Sequence, residues 1–73
     1  MSEPEGLTIW TIYDHPSDYP DTWVARRWVN DKPTGELMVS ADLDALRRHF
    51  ARLGLVRLDR NPADDPVIVE TWL

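Results

Sequence analysis

The period of apolar and polar positions changes along the chain, and the changes mark its elements. Leu7–Tyr13 is dominated by β-branched and aromatic residues, which predicts a first strand. Asp14–Asp21 holds two prolines, three aspartates and a serine, the composition of a loop. Thr22–Val29 predicts a second strand, Asn30–Gly35 a turn, and Glu36–Ser40 a short third strand. From Asp42 to Leu53 the period becomes helical. Leu43, Leu46, Phe50 and Leu53 fall on one stripe at spacings of three, four and three. Ser40 or Asp42 can cap the start of this helix, and Arg47, Arg48 and Arg52 lie toward the negative end of its dipole. Gly54 permits the left-handed turn that ends many helices, with Leu55 folding back onto the last turn. Leu55–Arg60 and Val67–Leu73 predict a fourth and a fifth strand. Asn61–Pro66 between them is a turn, because its two prolines cannot donate to a central ladder.

The predicted order is β-β-β-α-β-β, with Met1–Gly6 as a flexible tail and residues 7–73 as a single domain. One helix covers one face of a sheet, so the fold class is α+β: a small antiparallel sheet packed on one face by a single helix. Strand alternation then assigns faces. Val67, Val69 and Leu73 carry no charge, whereas the opposite side of their strand carries Glu70. By that test the helix covers Leu7, Ile9, Trp23, Ala25, Val29, Val67 and Val69, with Arg27 an awkward member at an edge. The open face collects Trp10, Trp28 and Trp72, with Ile12, Val24 and Ile68 between them and Arg26 pairing with Glu70.

Four tryptophans in 73 residues make that face the feature that stands out. Exposed, Trp10, Arg26, Trp28, Glu70 and Trp72 form a partner-binding surface, since aromatic residues and arginine dominate interface hot spots. Packed on one another, the tryptophans form a second small core. The first reading implies a protein partner or self-association, the latter because symmetric dimers are common.

Composition narrows the classes. A net charge of −5 disfavours nucleic acid as a partner, because phosphate binding is driven by clustered lysine and arginine. Arg47, Arg48 and Arg52 are the local exception, offering an RNA or acidic-protein contact beside the plainer role of a solvated helix end. The chain has no cysteine, which removes disulfides, thiolate zinc sites and thiol nucleophiles. Without a signal-like start or a run of about 20 apolar residues, the expectation is a cytoplasmic protein with no membrane partner.

No motif assigns an activity. Asp14, His15, Ser17 and Asp18 contain the residue types of a base, a nucleophile and an orienting carboxylate, and with Asp21 they offer metal ligands. Neighbours on one loop seldom converge on one substrate atom, and Asp14 and Ser17 suit Asx or Ser turns. The alternating acids and central glycine of a calcium loop are missing. The three glycines, Gly6, Gly35 and Gly54, stand alone, so there is no phosphate loop. The expectation is a non-enzymatic chain with no catalytic, cofactor or metal site. A small hydrolase or metal-dependent enzyme on the Asp14–Asp21 loop is the rival.

Two resemblances add to this. Trp10-Thr11-Ile12-Tyr13-Asp14-His15-Pro16, with Asp18-Tyr19-Pro20, Val24-Ala25-Arg26 and the ending Asp64-Asp65-Pro66-Val67-Ile68-Val69-Glu70-Thr71-Trp72-Leu73, resembles a group of short uncharacterised bacterial proteins. That likeness implies a bacterial or phage origin and a free-standing small protein, and it implies no activity. In element order alone the chain is similar to HicB-like antitoxins, whose small α+β domain occupies a toxin ribonuclease. Those carry a Gly-Asp-Thr entry to the helix where this chain has Val39-Ser40-Ala41-Asp42.

Overall fold

The computed structural model describes residues 7–63 and 65–73. The tail expected at Met1–Gly6, and Asp64 of the last turn, lie outside the described residues. Strands β1 (Thr8–Asp14), β2 (Trp23–Val29) and β3 (Lys32–Ser40) precede helix α1 (Leu43–Arg52). Strands β4 (Arg57–Asp59) and β5 (Ile68–Trp72) follow it. All pairings are antiparallel, in the spatial order β3-β2-β1-β5-β4. The molecule is an α+β domain, one five-stranded sheet with one helix on it.

The helix forms where its stripe and its caps agree. Asp42 is the N-cap, its carboxylate accepting from the Asp44 amide at 3.0 Å, and Ser40 Oγ accepts from the Asp42 amide at 3.0 Å. At the other end the Leu55 amide donates to the Phe50 carbonyl and the Gly54 amide to the Ala51 carbonyl. This is the paired closure that a glycine at φ +85° permits. Leu46 and Phe50 point into the sheet and are buried.

The β2–β3 hairpin is tighter than the sequence suggests. Asn30 and Asp31 both take positive φ between the paired residues Val29 and Lys32, the geometry of a two-residue hairpin turn. The expected turn residues Lys32–Gly35 therefore belong to β3. A register irregularity opposite Arg27 absorbs Gly35 at φ +88°.

The core overturns the expected faces of β1 and β5. Ile12, Ala25, Leu46, Phe50 and Trp72 form the buried cluster, with Trp10, Trp23 and Met38 packed against it. The Phe50 ring lies 5.3 Å from that of Trp10 and 5.8 Å from that of Trp72, centroid to centroid. The helix thus covers Trp10 and Ile12 of β1 and Glu70 and Trp72 of β5, not Leu7, Ile9 and Val67. Trp23 and Ala25 of β2 lie under it as expected. Two causes combine. Ile12 opposes Glu70 while Tyr13 opposes Ile68, so Val69 is an extra residue and simple alternation fails along β5. The charge on Glu70 also did not exclude it from the interior, because it is paired there.

Candidate functional site

Glu70 is 2% exposed and belongs to the helix side of the sheet. Arg47 reaches it from α1 with two nitrogens: Nη2 donates to Oε1 at 2.8 Å and Nε to Oε2 at 3.1 Å. Trp72 Nε1 donates to Oε2 at 2.8 Å, and Arg57 Nη1 stands 3.9 Å from Oε1. Burial pushes the Glu70 carboxyl up. The hydrogen bonds from Arg47 and Trp72, with the charges of Arg47 and Arg57, more than offset it and hold the group below its ordinary value of 4.5. The hydrogen bond to Glu70 raises Arg47 in turn, against the opposing effect of burial. Every strong acceptor of this cluster is already engaged within the protein, so it fixes the helix on the sheet and is no binding site.

The expected surface of Trp10, Arg26, Trp28, Glu70 and Trp72 is therefore not one surface. Trp10, Glu70 and Trp72 lie under or beside the helix, while Arg26 and Trp28 lie on the opposite face. The expected Arg26–Glu70 pair does not form, since the sheet separates the two. Arg26 instead bonds Asp18 and lies over the Tyr13 ring at 6.0 Å. The Asp18 contact draws the loop of residues 15–22 over one end of that face. Val24 is fully buried there although it is outside the helix-side cluster.

The rest of the face away from the helix is uncovered. Six large apolar residues stand out as exposed among the described residues, and five fall on this face by strand register: Leu7, Val39, Val56, Leu58 and Leu73. They are between 38% and 61% exposed. Single exposed apolar residues are ordinary on small proteins, but five sharing one face form a patch. Between them lies a shallow hollow of about 290 Å³ lined by Ile9, Thr11, Trp28, Asp31, Ile68 and Thr71. Trp28 Nε1 is buried and has no hydrogen-bond partner among the described residues. Ile9, Leu58 and Leu73 had no place in the expected open face. The signal that finds them is strand pairing, which a single sequence does not display.

The catalytic candidates separate too. Asp14 Oδ1 contacts His15 Nδ1, and the His15 ring meets the edge of Trp23 at 5.0 Å. Asp14 and His15 thus meet, whereas Asp18 is bonded to Arg26. Among the described residues no three His, Asp or Glu side chains are grouped to hold a metal ion. No helix is long and apolar enough to cross a membrane. Comparison with family models, curated proteins and solved structures finds no match to this chain.

Proposed function

We propose that this protein is a non-enzymatic protein-binding module that works through the sheet face turned away from its helix, and that the first occupant of that face is a second copy of the chain. The carrying observation is the gathering of Leu7, Val39, Val56, Leu58 and Leu73 on one side of the sheet. Removing large apolar residues from water is the dominant favourable force in most protein association. Two such sheets stack face to face about 10 Å apart in aligned sandwiches, and a two-fold copy supplies a matching face.

Charge favours the same occupant. The chain carries −5 overall, but the one arginine on this face, Arg26, is neutralised by Asp18. Asp31 at the rim of the hollow is then the main charge left on a face that is otherwise apolar, which suits its own copy better than a strongly charged partner. Five strands about 4.8 Å apart and some six residues long give a footprint of roughly 500 Å² per copy. That sits at the low end of specific interfaces, so the association is weak and reversible. A cysteine-free chain suits the reducing cytoplasm of a bacterium, where we place it.

Methyl chemical shifts followed on dilution from millimolar to micromolar protein test this reading. The methyls of Ile9, Leu58, Ile68 and Leu73 move together, while those of Leu46 stay fixed. Shifts that are independent of concentration, or that move only on the helix side, contradict it.

A further inference from the structure

We propose that the channel between α1 and the second half of β3 receives an extended acidic segment of another protein, added as a further strand at the β3 edge. The site lies on the helix side of the sheet and does not depend on the self-association proposed above. Among the described residues β3 is an outermost strand, paired with β2, and the other edge of its backbone has no strand partner. Its first half is guarded in the usual ways: Lys32, Pro33 and Gly35 follow the tight turn, and Arg27 is paired with Glu36. Its second half, Leu37 to Ser40, has neither a proline nor a charge. It includes Val39, which is 47% exposed.

That unguarded half lines the channel. Met38 and Leu46 supply an apolar floor, Val39 borders it from a position whose side chain belongs to the other face, and Arg48, His49 and Arg52 stand along the helix side of a space of about 420 Å³. Arg47, on the next stretch of the same helix, is turned away to Glu70. Among the described residues Arg52 has no carboxylate partner, and Arg48 has a distant one in Asp42 at 3.8 Å, with both groups exposed. In a chain of net charge −5, Arg48 and Arg52 stand beside the stretch of strand edge that carries neither a proline nor a charge. Main-chain bonding to an edge gives affinity, and pockets for alternate side chains give specificity. Here alternate side chains of the incoming strand meet Arg48 and Arg52, which selects carboxylates.

The probe is a fluorescein-labelled heptapeptide of alternating glutamate and valine, with the lysine–valine peptide beside it, read by anisotropy at low salt. The acidic peptide binds saturably, the basic one does not, and Arg48→Glu with Arg52→Glu weakens binding more than tenfold while urea midpoints stay near the parent's. Amide hydrogens of Leu37–Ser40 gain protection from exchange when the acidic peptide is bound. Leu58→Asp, on the other face, leaves this binding unchanged, which separates failure here from failure of the self-association. Absence of saturable binding, equal binding of both peptides, or binding without protection in β3 overturns the proposal. A uridine 12-mer that binds more tightly than the acidic peptide through the same arginines, with no protection in β3, reassigns the cations to nucleic acid.

Discussion

Arg47 on the helix and Glu70 on the fifth strand are joined side by side, Nη2 to Oε1 at 2.8 Å and Nε to Oε2 at 3.1 Å, with the carboxylate buried and the guanidinium one-third exposed. The pair lies 23 residues apart in sequence and seats the helix over β1 and β5. It lies on the same side of the sheet as the buried cluster of Ile12, Ala25, Leu46, Phe50 and Trp72.

The pair makes stability depend on pH with a defined sign. The Glu70 carboxyl is held below 4.5 in the folded protein, so its contribution is fully present above that value. It is lost as pH falls through the lower, folded value. Urea midpoints at pH 6 and pH 3 therefore drop more for the parent than for Glu70→Gln. Arg47→Ala leaves a buried carboxylate short of its main partner and costs about 3 kcal/mol at pH 6. The double change Arg47→Leu with Glu70→Met removes both charges and recovers most of that loss. A parent and a Glu70→Gln variant with parallel pH profiles show that the pair contributes nothing.

Phe50 meets Trp10 and Trp72 and has no exposed surface, so Phe50→Ala costs about 3–5 kcal/mol. Leu46→Ala costs about 2–5 kcal/mol for the same reason. In a domain this small either loss approaches the total stability. Midpoints within error of the parent place the helix stripe in solvent.

The tryptophans separate by the same measurement. Trp72 is buried, bonds Glu70 and packs on Phe50, whereas Trp28 is half-buried on the far face. Trp72→Ala therefore destabilises the fold by at least 1–2 kcal/mol more than Trp28→Ala. Equal losses mean that both faces carry a core of the same weight.

Much of the fold is legible in the residues themselves. The helix is readable because its stripe, its Asp42 cap and its Gly54 stop all agree, and the strands because their composition changes at each loop. The face of β2 is readable from Trp23 and Ala25 alone. The faces of β1 and β5 are not, because a strand's apolar parity does not say which neighbour it pairs with. The bulge at Val69 then shifts that parity midway. Glu70 misleads for a related reason: a charge is excluded from a core only when nothing there compensates it, and Arg47 lies on a distant element. The candidate face was therefore misread in membership, with Trp10, Trp72 and Glu70 taken from the interior. Trp28 and Arg26 were rightly assigned to the side away from the helix. The turn within Asn30–Gly35 is readable, but its confinement to Asn30-Asp31 is not, because positive φ suits several of those residues equally.

Sedimentation equilibrium across a concentration series, on the parent and on Leu58→Asp, reads the association of the uncovered face without an intermediary probe. Leu58 is exposed on the uncovered face, so the substitution leaves the core intact and sets a charge within the patch. The parent associates reversibly to a dimer, with a dissociation constant in the micromolar to millimolar range expected of a small interface. Leu58→Asp, with an unchanged urea midpoint, shifts it at least tenfold toward monomer. A parent that stays monomeric to millimolar concentration, or a dimer indifferent to Leu58→Asp, contradicts the assignment of this face.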